Sequence, residues 1–359
     1  MTLKKLLRAS IETKPIYVDS DSLIHQIMPC TDGSREITTC DDWDMHYRDI
    51  RDSNIYKMFE DRVNGNGWPD GLLADKKPSF KKLRLESWDS MISDITQNGY
   101  SFRPFEKCKS DEYISVMIGR DGHIILYNGI HRTCCCLLSS VKNKIPVKVI
   151  YRHPEWDAFK ASISGYEERN KKIYCHVPHP DLDSIEHYWN NDRAELIAEK
   201  SFYPRGRVLD IGSHWGTTSF TLAKHGFTCV AIENNECHFR KTSKISRMNS
   251  SGGGPTFTAI NTNALDYIAY GETDTLVMLN IAHHFQMKKE DYDAFIRFLK
   301  ANKFKEIFYQ SHKDKDKWST QSATCLKPAQ YRGRIMRAAG LKHYKTLATF
   351  GGRDLYHLF

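Results

Sequence analysis

From Arg207 onward the chain alternates apolar, strand-like runs with helical stretches, and no other feature limits its fold so strongly. RVLDIG leads into TTSFTLAKHG, and FTCVAIE leads into a polar helix over 236–248. TFTAINTN, DTLVMLNI, a helix over 290–302, FKEIFYQS and a helix over 329–339 follow. Strands and helices in alternation require a parallel sheet covered on both faces, because each return in the same direction needs a crossover. The last two runs, KHYKTLATF and RDLYHLF, are separated only by Gly351-Gly352. No crossover fits there, so this pair is antiparallel.

With 359 residues, and roughly 100 to 200 per domain, two domains are expected. The boundary is placed in the polar stretch 165–172, giving domains 1–165 and 166–359. In the first, EYISVMIG and HIILYN read as strands around the turn Arg120-Asp121-Gly122, HRTCCCLLSSV as a helix and IPVKVIYRH as a further strand. Upstream lie an extended PIYVD and helices near 54–63 and 86–96. The composition, 40% hydrophobic and 27% charged, is that of a folded globular chain and excludes disordered and collagen-like classes.

No apolar run approaches the roughly 18 residues that span a bilayer, and the opening MTLKKLLRASIETK lacks a long apolar core and a small-residue cleavage site. A cytoplasmic protein, neither secreted nor membrane-spanning, is expected. Ten cysteines, three of them adjacent at 134–136, fit reduced packed thiols better than a disulfide framework. Cys175-His176-Val177-Pro178-His179 has no second ligand pair at zinc-finger spacing, so no metal is expected.

The formal charge is +8, and residues 301–359 carry all of it, with 12 Lys and Arg against 4 Asp and Glu. Such a surface suits an acidic partner, with nucleic acid and anionic headgroups as special cases; a merely soluble basic face is an equal reading.

RVLDIG runs directly into SHWG and a helix, so Asp210, Gly212 and Gly216 occupy the first strand-to-helix turn of a doubly wound sheet, where ligands bind. Glu233, twenty-one residues past Gly212, closes the second strand, where a carboxylate accepts from both hydroxyls of a ribose. A dinucleotide fold shares these features, yet G-x-G-x-x-G is missing, His214 holds the middle position, and the sheet closes with an antiparallel hairpin.

Over residues 173–359 this pattern resembles the class I S-adenosylmethionine-dependent methyltransferases, with VLDIGSHWG similar to their first motif. The expected fold is α/β: a seven-stranded Rossmann-like methyltransferase sheet with an antiparallel last strand, preceded by a smaller α+β domain. The resemblance implies S-adenosylmethionine as cofactor. Asp210, Gly212, His214 and Gly216 would frame its methionine end, Glu233 and Asn234 its ribose, and Asn263 and Ala264 its adenine, with Asn280 closing the fourth strand beside it. Tyr188 and Arg193 lie in a segment similar to the helical lead-in of some small-molecule and glycan methyltransferases.

Beyond Asn280 come His283 and His284, candidate general bases for a hydroxyl acceptor. No Asp/Asn-Pro-Pro-aromatic run, Pro-Cys pair or acidic pair follows that strand. Methylation of base amines, of pyrimidine C5 and of catechols over magnesium is thereby disfavoured. O-methylation of a sugar, glycan or small metabolite survives, the acceptor phosphorylated or nucleotide-linked in some readings. A nucleic-acid-binding or nucleic-acid-modifying protein is the alternative, disfavoured because basic and aromatic residues are not interleaved.

Residues 111–152 resemble the ParB/sulfiredoxin-like fold, in which a Gly-x-x-Arg turn holds nucleotide phosphate. Here it would be Gly129, Ile130, His131 and Arg132. Ile130 stands where sulfiredoxins carry their catalytic cysteine. Three roles stay open: a nucleotide-dependent kinase beside the methyltransferase, a substrate-binding module, or a scaffold for a homodimer.

Overall fold

The computed structural model describes residues 15–18, 25–27, 47–100, 114–139, 144–164, 172–248, 255–267, 273–313 and 320–359. The chain divides into two compact units, one formed by 1–165 with 179–184 and the other by 166–178 with 185–359.

The first unit contains β1 (Ile16–Val18), β2 (His25–Ile27), β3 (Tyr47–Asp49), α1 (Asn54–Val63), α2 (Pro78–Asn98), β4 (Ser115–Ile118), β5 (Ile124–Asn128), α3 (Ile130–Leu138), β6 (Ile145–Arg152) and α4 (Pro154–Ser164). Its strands form one mixed sheet in the order β1-β6-β4-β5-β2-β3. β4 and β5 make the expected antiparallel hairpin, and α3 carries the chain over to β6, which runs parallel to β4. Cys134, Cys135 and Cys136 are buried free thiols in α3, and burial pushes Cys134 and Cys135 up to about 12.

Two helices differ from expectation. α2 begins at Pro78, eight residues before the expected start, because proline at the first helical position costs no hydrogen bond. α4 was not foreseen, although Trp156, Phe159 and Ile163 recur at helical spacing behind Pro154 and are all buried.

Residues 179–184 leave the second unit's stretch of sequence and anchor in the first. Asp181, its side chain fully buried, accepts from Arg152 at 2.9 and 2.6 Å, from the Trp156 indole at 2.9 Å and from Lys160 at 3.1 Å. Burial opposes the charge, but these donors prevail and hold the carboxyl below its usual range. Next to it His179 receives the Asp181 N–H on Nδ1 and reaches the Gly122 carbonyl with Nε2 at 2.6 Å.

The second unit opens with the short parallel pair β7 (Ile173–Cys175) and β8 (His187–Trp189) and with α5 (Asp192–Lys200). There follow β9 (Arg207–Ile211), α6 (Thr217–Lys224), β10 (Thr228–Ile232), α7 (Glu236–Ser246), β11 (Thr258–Ile260), β12 (Thr275–Met278), α8 (Lys289–Asn302), β13 (Glu306–Gln310), α9 (Pro328–Ala339), β14 (Tyr344–Phe350) and β15 (Arg353–Leu358). The seven strands from β9 on stand in the order β11-β10-β9-β12-β13-β15-β14. The first five run parallel; β15 runs antiparallel to β13 and to β14.

β12 and β13 are buried at every residue, which is why they read as continuous apolar runs. Gly351 and Gly352 both adopt positive φ, 58° and 73°, as a two-residue primed turn requires. The sheet winds outward from β9 to β11 and then returns to β12. The crevice beyond the carboxyl ends of β9 and β12 is therefore its switch point. Among the described residues, no helix is long and apolar enough to cross a membrane.

Candidate functional site at the switch point

β9 ends at Ile211, and the next residues bend sharply: Gly212, His214 and Gly216 have φ of 66°, 55° and 74°. Glycine adopts this region without cost; for His214 it costs on the order of 1 to 2 kcal/mol. A Cβ at Gly212 would lie 2.6 Å from Ile281, and one at Gly216 would lie 2.6 Å from Phe257 and 2.9 Å from Thr242. These glycines let side chains from α7 and from other loops pack directly on the turn. The sequence suggested ligand contact as the reason for Gly216; here the neighbouring space is filled by protein.

Asp210 is buried and accepts from the Ser219 hydroxyl at 2.8 Å. Burial pushes it up to about 7 against the Ser219 bond, and the nearby Glu233 charge adds to the rise. Glu233 ends the next strand with its carboxylate fixed from both sides: Oε2 accepts the His214 N–H at 2.9 Å and Oε1 the Asn235 N–H at 2.8 Å. A carboxylate oxygen has two acceptor positions, so each keeps one for a further donor. Asn234 is exposed beside it, while Asn235 caps α7 by accepting from the His238 N–H.

The His214 ring packs against Trp215, Tyr174 and His238 at centroid distances of 5.1, 4.9 and 4.2 Å. Burial, with His238 and Lys241 close by, lowers its pKa to about 3, so the ring is neutral. In the same turn the Ser213 hydroxyl is buried with no hydrogen-bond partner among the described residues.

Asn263 caps the short turn Ala264–Asp266, its side chain accepting the Leu265 N–H at 3.1 Å, with Ala264 buried beneath it. Asn280 follows β12 with φ of 58° and is clamped: its amide donates to the Tyr174 hydroxyl at 2.9 Å and accepts from Arg353 at 3.0 Å. His283 and His284 lie in the 3-10 turn Ala282–Gln286, rings 4.5 Å apart, His283 buried and His284 exposed. Arg193 is buried, donates to Gln310 at 2.7 Å and lies 5.2 Å over Trp189; Tyr188 is exposed.

Tyr174, Arg353, Ser213, Gln310 and His312 were not foreseen. Gln310 and His312 sit where β13 ends beside β12, a position that marks ligand-facing residues in parallel sheets. His312 is buried and its Nε2 donates to the Leu326 carbonyl at 3.1 Å.

In the first unit, Gly129 has φ of 96° at the start of α3, and its N–H donates to the Asn128 side chain at 2.9 Å. The His131 ring stacks on Trp88 at 4.8 Å and lies 5.5 Å from Phe59. Burial, then the charges of Arg84 and Arg132, lower its pKa to about 4. Arg132 is half-buried. Cys175 and His179 belong to different units, Cys175 lying 3.9 Å from an Arg193 nitrogen.

No known family profile matches the chain, and no curated protein sequence matches it. Among solved structures, the bifunctional kinase-methyltransferase WbdD is similar at 18% identity and a TM-score of 0.43, covering 56% of this chain and 45% of WbdD. EvdMO1 is similar at 14% identity and 0.41, covering 56% and 47%. Magnesium protoporphyrin IX methyltransferase from Synechocystis PCC 6803, with S-adenosylmethionine bound, is similar at 16% identity and 0.35, covering 47% and 78%. The chain thus spans less than half the length of the WbdD and EvdMO1 chains it superposes on.

Proposed function

We propose that the second unit is an S-adenosylmethionine-dependent methyltransferase acting on a hydroxyl of a sugar, glycan or small metabolite. The observation that carries this reading is the fixed Glu233 carboxylate at the end of β10, tied to the His214 N–H of the neighbouring turn in a sheet ordered β11-β10-β9-β12-β13-β15-β14. Its two remaining acceptor positions suit the paired hydroxyls of a ribose and repel a 2′-phosphate.

The residues fit the cofactor in two further ways. The buried Ser213 hydroxyl supplies an uncommitted polar atom in the turn, and a cationic or hydroxyl donor brought to Asp210 would favour the charged carboxylate that burial opposes. When bound, S-adenosylmethionine supplies an activated methyl group on its sulfonium sulfur.

The chain's own part is to align the acceptor and accept its proton. Alignment contributes up to roughly 7 to 11 kcal/mol in such displacements. Of the two histidines after β12, the exposed His284 is the one an acceptor can reach, and the buried His283 braces it. The excess charge of residues 301–359 suits an acceptor bearing a phosphate.

Isothermal calorimetry on the full chain tests the reading. S-adenosylmethionine and its demethylated product should both bind, and Glu233→Ala should weaken each at least tenfold, since charge-assisted hydrogen bonds contribute about 1.5 to 3 kcal/mol apiece. Undiminished affinity in a folded Glu233→Ala protein overturns it.

A further inference from the structure

A surface helix ordinarily carries one apolar stripe, turned to the core. In α2 the apolar surface runs on past the buried stripe and out into solvent at the first turns. Trp88 and Ile95 are buried on its inner side, with Leu85, Met91 and Ile92 half-buried along the same stripe. At the N-terminal end of the helix Phe80 is 51% exposed and Leu83, further round from the buried stripe, is 67% exposed, the latter the most exposed large hydrophobic among the described residues. Spaced three apart, the two share one face one turn apart.

The surroundings of this pair are cationic. Lys76, Lys77, Lys81, Lys82 and Arg84 fall within nine residues, and no acidic residue lies between Lys76 and Leu85. Lys76 meets Asp75 at 2.6 Å and Lys82 meets Glu86 at 3.9 Å, all of these side chains well exposed. Exposed pairs of this kind contribute little and yield readily to a competing anion. Arg84 lies 5.3 Å over the Trp88 ring, which holds its charge at the rim of the apolar pair.

We propose that the first turns of α2 dock on an anionic membrane surface, with Phe80 and Leu83 entering the headgroup layer and the lysines meeting lipid phosphates. Charge complementarity selects the partner's sign, and the apolar pair selects its kind. Two side chains are too few for the core of a stable protein interface, which needs about 800 Å² on each partner. Nucleic acid offers no use for Leu83, which has no π-face to stack on a base. A bilayer rewards shallow apolar insertion combined with diffuse positive charge. This inference stands independently of methyl transfer.

The experiment is sedimentation of the full chain with vesicles of phosphatidylcholine alone or with about one third phosphatidylglycerol, at low salt. The chain should pellet with the anionic vesicles and stay in solution with the neutral ones. Binding should fall at least tenfold in Phe80→Ser/Leu83→Ser and in Lys77→Glu/Lys82→Glu, all at exposed positions. Thermal unfolding should be unchanged in both variants. The proposal is overturned by equal binding to neutral vesicles, by no binding to anionic ones, or by variants that bind like wild type. It is overturned equally if a generic oligonucleotide binds the chain and that binding, rather than vesicle binding, depends on these residues.

Discussion

The side-chain amide of Asn280 donates to the hydroxyl of Tyr174 across 2.9 Å, joining the second residue past β12 to one 106 positions earlier. Arg353 can only donate, so its contact with Asn280 Oδ1 fixes which way the amide points. Tyr174→Phe should lower stability by about 1 kcal/mol, the usual net value of such a bond. Because the Tyr174 ring also packs on His214, cofactor affinity should change little in Phe and fall in Ala. Urea denaturation and calorimetry read the two effects separately; equal losses of affinity in both variants would refute the distinction.

Gly216→Ala should destabilise the second unit by roughly 1 to 3 kcal/mol. Its φ of 74° disfavours any side chain, and the new methyl would be forced against Phe257 and Thr242. A melting temperature equal to wild type would contradict the packing described for the turn.

The two histidines after β12 should separate by experiment. His284→Ala, at the exposed position, should keep wild-type stability and cofactor affinity while methyl transfer to the true acceptor falls about 10² to 10⁴-fold, with partial recovery at high pH where the hydroxyl ionises unaided. His283→Ala, at the buried position, should chiefly lower stability. Near-wild-type turnover in both would remove the general-base role from this turn.

Stability should decline as the solution is acidified from about pH 6.5 to 4. His179 is wholly buried, and burial lowers its pKa from 6.5 to about 4 even though Asp181 lies beside it. Below 6.5 the unfolded chain takes up a proton that the folded chain refuses, so the contribution is complete above 6.5 and is lost progressively down to about 4. That loss is on the order of 3 kcal/mol for one such group. His179→Gln should flatten the profile of denaturation midpoint against pH; an unaltered slope would show that other groups govern it. His131 and His214, also lowered by burial, add to the decline with the same sign.

Much of the second unit was legible because its elements follow local rules. Continuous apolar runs gave the central strands, and Gly351-Gly352 gave the antiparallel close. The turn after β9 was legible too, since Gly212 and Gly216 do occupy left-handed backbone and Glu233 does end the adjacent strand. The clamp on Asn280 was not, because its partners lie 106 and 73 residues away and no periodicity connects them. Asp181 was equally hidden: its donors Arg152, Trp156 and Lys160 lie 21 to 29 residues earlier, beyond any periodicity that would link them to 179–184, so only the folded chain shows it as an anchor. α4 was a different case, its proline start and apolar spacing being present in the sequence and passed over.

β15 sits between β13 and β14, although β14 precedes it along the chain. Among the described residues β13 pairs on this side with 353–358 alone, and β14 pairs with that same strand, so during synthesis both wait for β15. The parallel core would wait half-closed, with an apolar strand edge bare to other chains. Closing this side of the sheet therefore falls to a six-residue strand that has to bring β14 with it when it pairs with β13.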